Sequence, residues 1–148
     1  MFYGQYEHAL DAKDRVILPA KFREIFKEHY AEKFYLTRGL DRCLFVFTEE
    51  EWRTQERQFR DMSFTREESR KFNRLYFSGA CDVLCDKQGR ILIPTYLKDY
   101  ADIKQNVMII GVSDRIEIWS KEKWDEFFGH NLGSFESLAE KLIDPNKK

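Results

Sequence analysis

The sequence has few of the residues and motifs on which most catalytic sites depend. Its three histidines, His8, His29 and His130, lie far apart, and none belongs to an H-E-x-x-H zinc motif. Its seven glycines form neither a G-x-x-x-x-G-K-[ST] loop nor a G-x-G-x-x-G fingerprint, and no G-x-S-x-G elbow is present. We therefore predict that the protein is not an enzyme and that it uses no cofactor and no small-molecule substrate.

The three cysteines are too few for a disulfide framework or a zinc site. Cys81 and Cys85 lack the usual two-residue spacing of zinc-binding thiolates, and Cys43 cannot supply a second pair. A sparse, odd set of cysteines is typical of a reducing compartment. We expect free thiols, no bound metal and a cytoplasmic protein.

Long hydrophobic runs and an excess of positive charge are also missing. The longest apolar run, residues 107–112, is far shorter than the roughly 18–20 residues that span a membrane. We therefore expect no membrane partner, and because residues 1–5 have neither the basic nor the apolar segment of a secretory signal, we expect no such signal. With 25 basic and 26 acidic side chains, the chain cannot bind a polyanion through bulk charge. Any nucleic-acid interface must therefore be local.

The sequence does contain an internal repeat. Leu10–Pro19 and Cys85–Pro94 share an aspartate, an arginine four positions later, and three aliphatic residues before a proline. A second block, Leu36–Trp52, resembles Met108–Trp124, and the two blocks occur in the same order in both halves. Two ordered matches predict that the chain arose by duplication of one unit.

Both copies have the same predicted order of elements. An aliphatic strand follows the arginine and stops at the proline, and a helix, a hairpin and a closing helix come next. The hairpin strands are expected at 34–37 and 43–47 in the first copy and at 107–110 and 115–119 in the second. This order of elements indicates the α+β class.

Helical segments are predicted outside the two copies. A capping box at Thr65–Glu68 predicts a helix as far as Tyr76, and residues 134–143 predict a terminal helix followed by a frayed tail at 144–148. The apolar residues expected to point inward from the terminal helix are Phe135, Leu138, Ala139 and Leu142. The predicted units are a first repeat at 5–52, a helical connector at 53–78, a second repeat at 79–124 and a helical tail at 125–148.

The second strands of the two hairpins differ in polarity. Residues 43–47 are apolar on both faces, so the second face needs a cover, either the other repeat or a neighbouring subunit, and we favour the subunit. Residues 115–118 alternate, which predicts one face in water. Trp52 and Trp124 occupy matching positions in apolar surroundings and are predicted to anchor the core.

The duplicated Asp-x-x-x-Arg turn is the strongest candidate for a binding site. Asp11 precedes Arg15, and Asp86 precedes Arg90, each by four positions. Two interpretations remain open on sequence chemistry. The carboxylate and the guanidinium can pair simply to close the turn. Alternatively, the carboxylate can orient the guanidinium so that its terminal nitrogens contact guanine or phosphate.

Other residues near the turns suit contacts with a phosphate backbone. The candidate cations are Lys13, Lys21 and Arg23 in the first copy and Lys87 and Lys98 in the second. Gly89 permits a positive φ or a close approach to a ligand. The first copy has Asp14 at that place, which tolerates a left-handed backbone but adds negative charge. We expect the first loop to bind phosphate more weakly than the second.

These motifs resemble those of the MraZ family. The resemblance covers about residues 1–128 and is carried by residues 11–23 and 86–94, with support from 36–41, 77–80 and 115–119. It implies two tandem AbrB-type half-domains with swapped hairpins, which form a double-split β-barrel with flanking helices. It also implies a homo-oligomer in which the protomers form a ring.

The resemblance implies a function as well. Members of the family are bacterial transcriptional regulators that bind short direct repeats in the promoter of the division and cell-wall gene cluster, including their own gene, and they sit on the nucleoid. Carried over to this chain, the face that binds double-stranded DNA consists of Asp11, Arg15, Asp86 and Arg90. Asp14 departs from the glycine that the family often has there. The alternatives are an antitoxin-like AbrB module and a non-catalytic oligomeric scaffold.

Overall fold

The computed structural model describes residues 1–28 and 33–143. The strands and helices in chain order are β1 (Phe2–Ala9), β2 (Arg15–Ile17), α1 (Ala20–Glu28), β3 (Phe34–Arg38), β4 (Leu44–Thr48), α2 (Glu49–Arg60), α3 (Glu67–Ser78), β5 (Cys81–Val83), β6 (Arg90–Leu92), α4 (Thr95–Tyr100), β7 (Asn106–Ser113), β8 (Arg115–Ser120), α5 (Lys121–Asn131) and α6 (Phe135–Ile143). The predicted α+β class is confirmed. None of the helices in the described ranges is long and apolar enough to span a bilayer.

The two predicted copies exchange strands. The larger sheet is antiparallel with the order β1-β7-β8-β4-β3-β5, and β2 pairs with β6 in a separate two-stranded ribbon. The pairing of β1 with β7 has its counterpart in the pairing of β5 with β3. The pairs β4–β8 and β2–β6 each join equivalent strands of the two copies. The copies are therefore interleaved about an approximate two-fold axis, while the closed barrel that the resemblance implies stays a prediction.

The strand register corrects the predicted match between the two hairpins. Leu36 is opposite Val46, and Ile109 is opposite Ile118. Because Val46 and Ile118 correspond, Leu36 corresponds to Ile109 and not to Met108. The turn of the second hairpin is thus one residue shorter. Leu36 and Ile109 are both fully buried, as expected, because a slip of one residue would turn each side chain to the opposite face.

The turn predicted at 111–114 is mostly strand, which is a second correction. β7 continues to Ser113 because β1 pairs along its whole length, with Gly4 opposite Gly111. A Cβ on Gly111 would overlap the backbone nitrogen of Tyr3, so the close approach of β1 explains this glycine. The pairing of β1 therefore sets the length of β7.

Two hydrophobic cores lie on opposite faces of the larger sheet. The first packs the sheet against the β2–β6 ribbon and the helices α1 and α4, and it includes Phe22, Leu44 and Leu97. The second packs the sheet against α2, α3 and α5. Trp52 is buried in the second core as predicted, whereas Trp124 is only partly buried at its edge.

The chain's own helices cover the strand that is apolar on both faces. Phe45 and Phe47 belong to the second core, where Trp52 lies 5.9 Å from Phe47 between ring centroids and Tyr76 of α3 packs against Trp52. The expected cover by a neighbouring subunit is therefore wrong, because the connector helices fill that place. This also removes the observation that motivated the scaffold alternative.

The prediction that residues 115–118 have one face in water is wrong, because Glu117 on that face is buried. It is buried opposite Phe45 in the β4–β8 pair. Its carboxylate accepts hydrogen bonds from Arg115 Nε and Trp119 Nε1, both at 2.9 Å. A buried carboxylate is tolerated here because a guanidinium neutralises it and an indole N–H satisfies its second oxygen.

Both helices predicted outside the copies are present, but one predicted feature of each is wrong. α3 begins after Arg66 without a side-chain cap, and Thr65 shares a hydrogen bond with Ser63 instead of capping the helix. In α6, the apolar side chains that were expected to point inward are largely exposed, including Phe135 and Leu142. The other helices already cover both faces of the sheet, so α6 has no core to join within the described ranges. The tail predicted at 144–148 lies outside the described residues.

Candidate nucleic-acid interface

The first Asp-x-x-x-Arg motif forms a closed turn between β1 and β2. Asp11 Oδ1 accepts hydrogen bonds from the backbone N–H groups of Lys13 and Arg15, both at 2.9 Å. Asp11 Oδ2 accepts a third hydrogen bond from Arg15 Nε at 2.8 Å. Asp14 has a φ of +59° and donates its N–H to the carbonyl of Asp11. One carboxylate therefore fixes both the backbone of the turn and the direction of the guanidinium.

The second motif has the same geometry. Asp86 Oδ1 accepts the backbone N–H groups of Gln88 and Arg90 at 2.9 Å, and Asp86 Oδ2 accepts Arg90 Nε at 2.8 Å. Gly89 has a φ of +80°, so it adopts the left-handed conformation that Asp14 adopts in the first turn. The substitution of Asp14 for glycine therefore changes the charge of the turn and not its shape.

The hydrogen bonds of both turns stabilise the ionised carboxylates. The backbone N–H of Arg15 lowers the pKa of Asp11, and the Lys13 N–H and the Arg15 guanidinium lower it further. The backbone N–H and the guanidinium of Arg90 lower the pKa of Asp86 in the same way. Both aspartates are therefore ionised at neutral pH, and each can hold a guanidinium.

The β2–β6 ribbon brings the two arginines onto one surface. Arg15 is opposite Leu92, and Arg90 is opposite Ile17. Because side chains alternate along a strand, these four residues point to the same, outward face. The two guanidinium groups thus occupy one diagonal of the ribbon and the two aliphatic side chains occupy the other.

The guanidinium groups remain accessible. The side chains of Arg15 and Arg90 are 30% and 24% exposed. Each aspartate engages the Nε edge, and none of the described residues accepts a hydrogen bond from the Nη atoms of Arg15. Arg90 Nη1 lies 3.6 Å from Asp11 Oδ2, a longer contact that links the two turns. Terminal guanidinium nitrogens therefore remain free to donate to a ligand.

A cation from the helix of each copy packs on the loop of the other copy. Arg23 of α1 donates from Nε to the carbonyl of Leu18 at 3.0 Å, and its guanidinium lies against Gly89, where an added Cβ would be 2.7 Å away. Lys98 of α4 donates to Asp14 Oδ1 at 2.9 Å. Lys98 is thus neutralised by an acid, whereas no ion pair joins Arg23 to an acid within the described part of the chain.

The remaining predicted residues differ in their surroundings. Lys13 and Lys87 are exposed at the tips of the two loops, and neither forms an ion pair with a described residue. Lys21 is exposed on α1 in a depression that Met1 and Tyr3 also line, and no hydrogen bond or ion pair of the described residues joins it to either loop. The structure therefore groups the predicted residues around the ribbon, with Lys21 apart.

Ile17 and Leu92 were not among the predicted site residues, although they lie between the predicted arginines. The signal for them was present in the sequence, because residues two apart on a strand share a face and each of these follows its arginine by two positions. The ion pair of Asp14 with Lys98 had no such local signal, since the two residues belong to different copies.

The cysteines near this surface are not arranged or ionised as reactive thiols or metal ligands would be. Burial raises the pKa of Cys85 to about 11 and also raises the pKa of Cys81, so both thiols are protonated at neutral pH. Within residues 1–28 and 33–143, no three His, Cys, Asp or Glu side chains come together in a way that could hold a metal ion.

Comparison with known proteins gives one consistent result. A family model described as "MraZ protein, putative antitoxin-like" matches the chain twice, over residues 1–75 and 76–146. A protein of Acetivibrio thermocellus is 51% identical over 142 residues, which is 96% of each chain. A protein of a Thermoanaerobacter species is 51% identical over 146 residues, 99% of each chain. A protein of Carboxydothermus hydrogenoformans is 45% identical over 144 residues, 97% of this chain and 98% of the relative. All three are named Transcriptional regulator MraZ. The double match agrees with the duplication predicted from the sequence.

Proposed function

The chain belongs to the MraZ family of transcriptional regulators, and we propose that it binds specific double-stranded DNA through the outward face of the β2–β6 ribbon. The observation that carries the proposal is the identical geometry of two turns in which an aspartate orients an arginine. A turn that only needed closing would not require two accessible guanidinium groups side by side on one ribbon.

The dimensions and chemistry of the ribbon suit the major groove. A two-stranded β-ribbon fits into the major groove of B-DNA, where an arginine can donate two hydrogen bonds to O6 and N7 of a guanine. Arg15 and Arg90 have terminal nitrogens available for such contacts, because their Nε atoms are already occupied by Asp11 and Asp86. The aspartates are thus positioning residues, and the arginines read the bases.

Exposed cations beside the ribbon would supply sequence-independent contacts. Lys13 and Lys87 extend from the loop tips, and Arg23 lies over Gly89 with no acid paired to it among residues 1–28 and 33–143. Contacts of this kind fix the register of a protein on the duplex and give its binding a strong dependence on salt.

Oligomerisation would compensate for the small number of cations beside one ribbon. The chain carries a formal net charge of −1, so a single ribbon offers only a few favourable contacts. In a homo-oligomeric ring, several ribbons would meet short direct repeats on one duplex, and the linked contacts would add through avidity. The DNA in this proposal is the promoter of the bacterial division and cell-wall gene cluster, including the protein's own promoter, and the protein works at the nucleoid in the cytoplasm.

The proposal is tested by measuring the affinity of the full chain for DNA taken from upstream of its own gene. A scrambled duplex of the same length and base composition is the control. We expect at least about tenfold tighter binding to the natural sequence at physiological salt, since specific complexes exceed non-specific ones by larger factors than this. Equal binding to both duplexes would reject sequence-specific recognition.

A further inference from the structure

Two aliphatic side chains on the outward face of the ribbon have no role in the contacts described so far. Ile17 is 43% exposed and Leu92 is 54% exposed, and they occupy corresponding positions of the two copies. The residues that precede them, Val16 and Ile91, are buried and fix the ribbon to the first core. Because side chains alternate along a strand, the burial of Val16 and Ile91 holds Ile17 and Leu92 in fixed positions on the outward face.

Each exposed aliphatic side chain lies directly across the ribbon from an arginine. Leu92 pairs with Arg15, and Ile17 pairs with Arg90. The Cβ atoms of directly opposed residues in an antiparallel pair are about 4.5–5.5 Å apart. Neighbouring base pairs are stacked roughly 3.4 Å apart, so two side chains at this spacing are far enough apart to reach different base pairs. An aliphatic group and a guanidinium can therefore contact adjacent base pairs.

We propose that Ile17 and Leu92 contact the C5-methyl groups of thymines that neighbour the bases contacted by Arg90 and Arg15. The thymine C5-methyl is the apolar group that projects from a base edge into the major groove, and apolar side chains contact it. This inference rests on the proposed function, because it requires the ribbon to lie in that groove.

The surroundings of the aliphatic pair favour DNA over a second copy of the chain. The neighbours on the same face are two partly exposed arginines, with Lys13 and Lys87 at the loop tips. If two such faces met, these cations would approach one another, and like charges brought together oppose association. A duplex instead offers phosphates to the cations and methyl groups to the aliphatic side chains.

The test compares natural upstream DNA with the same fragment in which deoxyuridine replaces every thymidine. Deoxyuridine pairs as thymidine does but lacks the methyl group. For the wild-type chain, we expect about a fourfold loss of affinity for each methyl contact removed, the effect of exposing one buried carbon. The Ile17→Ser, Leu92→Ser double variant should bind natural DNA correspondingly more weakly and should bind both fragments equally.

A matched control separates this contact from general effects of the substitution. Leu75→Ser removes a leucine that is 61% exposed, slightly more than Leu92, from α3, which packs on the other face of the larger sheet. This variant should lose affinity for the deoxyuridine fragment as wild type does. Because all three positions are exposed, the variants should keep the wild-type melting temperature.

The outcomes distinguish this inference from the proposed function. If wild type binds natural and scrambled duplexes equally, the proposed function fails. If wild type prefers the natural duplex but tolerates deoxyuridine, the function stands and the methyl contact is overturned. The methyl contact is also overturned if the double variant loses as much affinity on the deoxyuridine fragment as wild type does, because the loss then comes from altered DNA shape.

Discussion

Lys98 Nζ donates a hydrogen bond to Asp14 Oδ1 at 2.9 Å, although the two residues lie 84 positions apart. In the second turn, the position equivalent to Asp14 is Gly89, which has no carboxylate, and the Arg23 guanidinium lies against it. The two copies thus have turns of the same shape but unequal charge. A face with an approximate two-fold axis is made asymmetric by one carboxylate, which suits a non-palindromic DNA site.

Removing the charge of Asp14 should strengthen DNA binding. In Asp14→Asn, the neutral amide releases Lys98 to a phosphate, and asparagine tolerates the positive φ of this position. We expect higher affinity and a salt dependence steeper by about one unit of slope, measured by fluorescence anisotropy over a series of salt concentrations. The control is Asp125→Asn on α5, which removes one negative charge far from the ribbon while Lys121 keeps its contact with Glu7. If both variants tighten binding equally, the effect comes from the change in net charge and not from the release of Lys98.

The reciprocal change should weaken binding. Gly89→Asp places a carboxylate beside the Arg23 guanidinium, the flexible end of which can move to make room for the new Cβ. We expect a shallower salt dependence, by about one unit, because Arg23 then pairs with protein and not with phosphate. An unchanged slope would show that Arg23 contributes no phosphate contact.

The local parts of the site could be predicted from the sequence. The Asp–Arg ion pairs follow from the four-residue spacing, and the inward faces of α1 and α4 follow from Phe22 and Leu97 at helical spacing. These features depend on residues close together in the chain. Asp14 could also be expected to adopt a left-handed backbone, as aspartate does so more readily than most residues.

The pairings between the copies could not be predicted in this way. Alternating side chains identify a strand but not its partner, so the exchange of β1 and β5 left no local signal. Glu117 looked like a solvent-facing residue because its own strand alternates, and only the helices α2, α3 and α5 make that face a core. The apolar residues of α6 were predicted to be buried and are largely exposed, because an amphipathic pattern does not guarantee that another surface is available to pack on.

Replacing the two exposed loop-tip lysines should change the salt dependence of binding more than its specificity. In Lys13→Ala and Lys87→Ala, we expect the slope to fall by about one unit for each lost phosphate contact, with similar losses on natural and scrambled duplexes. Lys71→Ala on α3, where the lysine pairs with Glu67, is the control and should leave the slope unchanged. Loss of specificity without a change in slope would mean that the lysines read bases.

The stabilisation of the turns should depend on pH with a defined sign. The folded-state pKa of Asp86 lies below its usual value of 3.8, so its ionised form stabilises the fold above that pH. This contribution is lost as the pH falls through the lowered pKa. Wild type should therefore be more stable than Asp86→Asn at about pH 6, and the difference should vanish in strong acid. Urea unfolding at several pH values measures this, with the exposed Asp99→Asn as control. A difference independent of pH would contradict the assignment.

Breaking the ion pair between Arg115 and the buried Glu117 on β8 should destabilise the fold. Arg115→Ala leaves the carboxylate of Glu117 buried without a neutralising partner, and we expect the free energy of unfolding to fall by about 3 kcal/mol. Adding Glu117→Gln to that variant should recover part of the loss, because the stranded charge is removed. Arg53→Ala, which breaks two exposed ion pairs on α2, should have a small effect in the same denaturation experiment. No recovery in the double variant would show that the loss comes from packing over Phe45.

The most direct measurement is the affinity of Arg15→Ala and Arg90→Ala for the natural upstream duplex, beside wild type and the control Arg60→Ala, which removes an exposed arginine from α2. If the two turns orient guanidinium groups for DNA, each single variant binds about ten- to a hundredfold more weakly, with a melting temperature close to that of wild type, and the control binds normally. If both variants bind as tightly as wild type, the aspartates and arginines only close their own turns, and the DNA face lies elsewhere.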